Sequence, residues 1–208
     1  MPKFDKDYFL IHRPNDDHIP EMTADMDTGV RPYMSSRLPP GEKPLIFHNG
    51  LYESQREKGV RPMTPPPDIL FDGYDIMVKS DVREKLLPYE IPDLSMYPAI
   101  YIDHKDVWHE NYWYLTFLEE FDCWDRKHSK YREELDPLDD DDGYYVHRYS
   151  LNDVLLENTP LEQRRLFLMG KTMLPLVTVH RSIAGLFERT GTDLVPLLDW
   201  GVTYPKWG

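Results

Sequence analysis

The sequence predicts an α+β fold, mostly antiparallel, with a few short helices. Three observations predict it. Short apolar runs of strand length outnumber the helical patterns. The helical patterns end at Pro or Gly. Residues 1–67 hold 11 of the 19 prolines, and proline removes a backbone donor and fixes φ, so neither a long helix nor a central strand is expected there.

Residues 1–67 are therefore read as an irregular Pro-rich lobe packed on a main domain of residues 68–208. Within the lobe, Tyr8–His12 (YFLIH) and Leu45–His48 (LIFH) are the candidate strands. From Asp68 the pattern changes. Ile69, Leu70 and Phe71 run into Asp72-Gly73, a turn signal, and Ile76–Val78 is a second strand. Ser80 is placed to cap a helix that carries Val82 and Leu86 on one face and stops at Pro88. Ala99–Ile102 is the next strand.

The same order returns near the C-terminus. Arg165–Met169 is strand-like, Gly170-Lys171 is a turn, and Leu174–Val179 is extended. His180–Arg189 reads as a helix with Thr190-Gly191 as its stop, followed by extended Asp193–Leu198. An offset of 100 residues lays Leu86 on Leu186 and Asp93-Leu94 on Asp193-Leu194, which points to two related strand-helix-strand units. Between them, Trp113, Leu115 and Phe117 alternate with Tyr114, Thr116 and Leu118. Period 2 in aromatic and β-branched residues predicts a strand buried on both faces, bending near Glu119-Glu120.

The chain has 208 residues, 37 acidic and 24 basic side chains, and a formal net charge of −13. At roughly 150 residues per domain this is one domain, or one with an appendage. Five Trp, 14 Tyr and 8 Phe supply a core that disordered chains lack. No stretch approaches the roughly 18 apolar residues of a membrane span. The start MPKFDKDYFLIHRPNDD has no apolar signal region. Cys123 is the single cysteine, so no intramolecular disulfide can form. A cytoplasmic location is the expectation. The negative charge argues against general nucleic-acid or anionic-membrane binding and suits a basic partner.

Residues 103–142 carry 14 acids against 5 bases, and seven of those acids fall in residues 133–142. Like charges at that density belong in a solvent loop. The candidate partner-binding residues are Asp136, Asp139, Asp140, Asp141 and Asp142, with Tyr144, Trp108 and Glu110 beside them.

No phosphate loop, dinucleotide fingerprint or GxSxG elbow occurs. His109-Glu110 starts like HExxH, but Trp113 stands where the second His belongs. The His104–Glu110 cluster, which brings His104 and His109 together with Asp103, Asp106 and Glu110, is the alternative reading, a metal-dependent hydrolase. Asp139–Asp142 lacks the EF-hand spacing. Cys123, flanked by carboxylates, reads as a packed thiol. No catalytic residue, cofactor or metal ligand is assigned.

Three stretches carry a family resemblance: DILFDGYDIMVKSDVREKLL, YWYLTFLEEFDCWDRKHSKY and RRLFLMGKTMLPLVTVHRSIAGLFERTGTDLVPL. Over about residues 68–198 the chain resembles the immunity proteins of bacterial polymorphic toxin and type VI secretion loci, a family formerly described only as a domain of unknown function. The Pro-rich start and the acidic loop depart from that pattern, as does Thr192-Asp193 after the Thr-Gly turn. The resemblance implies a non-enzymatic protector that binds one cognate protein toxin and blocks it. An acidic loop suits the basic cleft of a nuclease toxin. An adaptor or chaperone for secreted effectors is the remaining alternative.

Overall fold

The computed structural model describes residues 2–132 and 143–202. It is α+β, with five short helices and mostly antiparallel sheets. The strands are β1 (Tyr8–His12), β2 (Met22–Ala24), β3 (Leu45–Asn49), β4 (Ile69–Asp72), β5 (Asp75–Lys79), β6 (Leu94–Ile102), β7 (Trp108–Phe117), β8 (Glu120–Phe121), β9 (Lys130–Tyr131), β10 (Val146–Arg148), β11 (Leu166–Met169), β12 (Val177–His180) and β13 (Asp193–Pro196). The helices are α1 (Met26–Gly29), α2 (Tyr52–Glu57), α3 (Ser80–Leu86), α4 (Asp153–Asn158) and α5 (Arg181–Ala184). Among the described residues no helix is long and apolar enough to cross a membrane.

Six strands form one sheet in the order β2-β3-β6-β7-β5-β4, five form a second in the order β13-β1-β12-β11-β8, and β9 pairs with β10. The Pro-rich segment contributes to both large sheets. Its β1 lies between β12 and β13 and its β3 between β2 and β6, which corrects the expectation of no central strand there: the prolines of this segment fall outside YFLIH and LIFHN, so both edges of each strand keep their backbone donors.

The internal likeness seen in the sequence has a topological counterpart. In one sheet the run β4-β5-β7-β6 places an antiparallel strand between a hairpin and the strand that follows its helix. In the other, β11-β12-β1-β13 repeats that plan, with β1 in the position of β7. Each hairpin closes alike: Lys79 N–H donates to the Asp68 carbonyl at 2.9 Å, and His180 N–H to the Arg165 carbonyl at 2.8 Å. Each closing residue is the N-cap of the helix that follows.

The two units share one core. Ile69, Phe71, Ile76, Val78, Val82 and Leu86 of the first meet Leu166, Val177, Val179, Ile183 and Phe187 of the second, with Leu115 of β7 and Ile11 of β1 among them. Period 2 along β7 explains why both its faces are buried. Leu115 points into this shared core, and Tyr112 and Tyr114 into a second cluster with Phe47, Leu45 and Met77. A third cluster, around Tyr8, Trp124, Tyr149 and Trp200, covers the far face of the five-stranded sheet.

Two local expectations are corrected. Ser80 is the first helical residue rather than the cap. Its Oγ donates to the Asn111 carbonyl at 3.1 Å and accepts from Trp113 Nε1 at 3.1 Å, so a tertiary contact takes the hydroxyl a cap would use. The helix expected over His180–Arg189 is regular only through Ala184. Gly185 follows, and Leu186 N–H and Phe187 N–H bond three residues back in tighter turns.

Candidate partner-binding groove

The segment after β7 turns at Leu118-Glu119 and runs beside β11 as β8, with Glu120 opposite Leu168 and Phe121 opposite Met169. This crossing from one sheet to the other leaves a groove of about 330 Å³ at the seam. Its walls carry the rings of Phe117, Phe121 and Phe167 and the carboxylate residues Asp93, Glu119 and Glu120. Among the described residues no basic side chain lines it. Phe121 and Phe167 meet edge to face at 5.1 Å. Such a groove accepts a Lys or Arg side chain, the aliphatic stem along the rings and the charge among the carboxylates.

One residue joins this groove to the base of the acidic segment. Lys171 N–H donates to the Glu120 carboxylate at 3.0 Å, and the Lys171 carbonyl accepts from Tyr144 N–H at 3.0 Å. On the other side, Arg132 N–H donates to the Tyr145 carbonyl at 3.1 Å, extending the β9–β10 pairing. Gly143 packs so closely that a Cβ there would overlap the Thr172 backbone. The feet on both sides of residues 133–142 are thus fixed beside the groove.

Aromatic rings hold those feet. Trp124, Tyr131 and Tyr144 pack mutually edge to face at 5.2–5.6 Å. Trp124 is buried and donates from Nε1 to the Gly170 carbonyl at 3.1 Å, whereas Tyr144 is 40% exposed. The Arg126 guanidinium stacks on Trp124, 3.8 Å from the ring centroid, and both its terminal nitrogens bond to the Asp122 carboxylate. A fork held by a carboxylate and an indole face is fixed in orientation.

Of the partner-binding residues expected from sequence, Tyr144 stands at this site. Asp136 and Asp139–Asp142 lie outside the described residues. Trp108 and Glu110 are elsewhere, in the first three residues of the ten-residue β7, on the six-stranded sheet, where Trp108 is 55% exposed. Sequence reasoning missed Asp93, Phe121 and Phe167 as groove residues. The one available signal was the Glu119-Glu120 pair at the bend with Phe117 and Phe121 around it, since Asp93 and Phe167 come from segments more than twenty residues away.

The His104–Glu110 cluster is dispersed. His109 Nε2 donates to Asp103 at 3.1 Å, whereas the His104 ring packs against Tyr52 at 5.6 Å. Burial works against the charge of Asp103, but His109 and the Lys105 and Val107 N–H groups outweigh it and hold the carboxyl below the usual carboxylate range. Asp103 thus organises the β6–β7 turn. Among the described residues, no group of three or more His, Cys, Asp or Glu is arranged to hold a metal ion. Cys123 is fully buried, its Sγ 3.8 Å from the Met169 sulfur, and burial pushes its thiol pKa up. A thiol so placed is a poor nucleophile.

No family model matches the chain, and no curated protein matches it.

Proposed function

We propose that this protein is a toxin-neutralising immunity protein, which captures a cognate basic effector in the cytoplasm of the producing cell and blocks its activity. The observation that carries the proposal is the groove at the sheet seam: three carboxylate residues and three Phe rings with no cation among the described lining residues, joined through Lys171 to the base of the acidic segment. A lysine or arginine from the effector enters the groove, and the acidic segment covers the neighbouring basic surface. Charge complementarity of this kind raises association rates, to about 10⁸–10⁹ M⁻¹s⁻¹ at low salt. The rigid rings at the feet limit the ordering cost of binding. No reaction is assigned to the chain itself, whose role is occupancy of the partner's surface.

The test is co-expression with the protein encoded beside it, followed by size-exclusion chromatography and a growth assay. A 1:1 complex with rescued growth is expected. The triple isostere Asp93→Asn, Glu119→Gln and Glu120→Gln keeps the shape of the groove and removes its charge. It is expected to weaken the complex by about 2–5 kcal/mol if an effector cation is buried there. Rescue with unaltered affinity in the triple variant would remove the groove from the interface. Absence of both complex and rescue would remove the immunity reading.

A further inference from the structure

A second cleft, apart from the groove, has the opposite character. It is a cavity of about 680 Å³ between residues 52–64 and the turn joining β6 to β7. In a chain with 37 acids and 24 bases, its lining contains Arg56, Arg61 and Lys105 with His104, and no carboxylate among the described residues. Arg56 is engaged by Glu53 at 2.5 Å. Arg61 and Lys105 are exposed, and among the described residues neither has a carboxylate within ion-pair distance.

Both of these cations stand on fixed backbone. The Arg61 carbonyl accepts from His18 Nδ1 at 2.8 Å, and Val60 N–H donates to the Gln55 carbonyl at 2.8 Å. Lys105 N–H donates to Asp103 at 2.8 Å, in the turn that the Asp103 carboxylate organises. The same cleft is lined by two rings, Tyr52 and His104, 5.6 Å apart and inclined by 36°. Cations with no carboxylate of their own leave their hydrogen-bond donors available to an anion. The volume is that of a small-molecule site, about 300–1,000 Å³.

We infer that this cleft binds a small organic phosphate carrying a planar ring, of the nucleoside phosphate class. Arg61 and Lys105 hold the phosphate groups, and the ring lies against Tyr52 and His104. The inference does not depend on the proposed partner, because the two sites share no residue.

The experiment is calorimetric titration of the full chain at low salt with three probes: adenosine diphosphate, pyrophosphate and adenosine. Adenosine diphosphate is expected to bind more tightly than pyrophosphate, and adenosine more weakly than either. The double variant Arg61→Gln, Lys105→Gln is expected to weaken adenosine diphosphate at least about tenfold. Its melting temperature should be unchanged, because both side chains are exposed. Tyr52→Leu should weaken adenosine diphosphate and leave pyrophosphate unaffected. Failure of both phosphates to bind below about 5 mM, or binding indifferent to the double variant, would overturn the site. Equal affinity for the two phosphates would overturn the assignment of the ring.

Discussion

The unit β4-β5-α3-β6 and the unit β11-β12-α5-β13 follow one plan and differ in two places. The first is completed by β7, the strand that follows it in the chain; the second is completed by β1, from the far end of the sequence. The first turns between its hairpin strands through Gly73-Tyr74 alone, with Asp72 opposite Asp75. In the second, residues 170–176 intervene, and they carry the Lys171 backbone that links the groove to Tyr144, and the Thr172 against which Gly143 packs. What the units share builds the core; where the second departs, the candidate site is found.

The clefts beside each unit sharpen the contrast. Asp93, just before β6, borders the acidic groove, and Asp193, at the start of β13, borders a cleft of about 540 Å³ with Asp68 and Glu188. That second cleft also contains Arg189, which pairs with Asp81 at 3.3 Å. One cleft thus carries a cation of its own, and the lining of the other has none among the described residues.

The most severe test of the comparison is deletion of residues 8–12. If β1 is to one unit what β7 is to the other, its loss separates β12 from β13 and removes Tyr8, Leu10 and Ile11 from two cores. Cooperative thermal unfolding should disappear. A sharp transition in the deletion variant would mean that the second unit does not need its closing strand.

A smaller effect is expected at Gly191, where the units touch. Its φ is +89°, and a Cβ there would overlap the Ile69 carbonyl of β4. Next to it, Thr190 accepts from Asp68 N–H at 2.9 Å through its hydroxyl and from Ile69 N–H at 3.1 Å through its carbonyl. Gly191→Ala should lower the unfolding free energy by about 2–4 kcal/mol in urea titrations. An unchanged midpoint would show that the two units do not depend on this close approach.

The tight turn of the first unit gives the smallest effect, with a pH signature. Burial raises the pKa of Asp75 to about 6 against a hydrogen bond from Tyr114, and the nearby charge of Asp72 adds to the rise. The folded value lies above the unfolded one, so the contribution of this group is present at low pH and is lost as pH rises through about 6. Asp75→Asn should therefore raise stability at pH 7 by about 1–3 kcal/mol and reduce the decline between about pH 4 and 6. A variant whose pH–stability curve is unchanged would show that Asp75 ionises as freely as it does in the unfolded chain.

Much of this architecture was legible where local pattern and tertiary role agree. Tyr8–His12 was readable as a strand from its composition, and β7 from its alternation, because the period that marks both elements is the one that buries them. The pairing of β1 with β12 and β13 was not legible, since no local feature of YFLIH names partners some 170 residues away. Ser80 misled because a hydroxyl ahead of a helix suits a cap and a tertiary hydrogen bond equally well. The groove was hidden for the same reason as the pairing. Phe117, Phe121 and Phe167 read as core residues one at a time, and only the passage of the chain from one sheet to the other sets their edges around Asp93, Glu119 and Glu120.

The position of β1 also sets an order of events during synthesis. Its two neighbours are the last strands of the second sheet, so β1 waits unpaired on the ribosome until about 170 further residues have been made. At about 5–20 residues per second that wait is roughly 10–40 s. Over that interval the apolar face of Tyr8–His12 has no partner strand. The first unit, whose closing strand directly follows it, can assemble in the meantime and offer that face a surface to rest on.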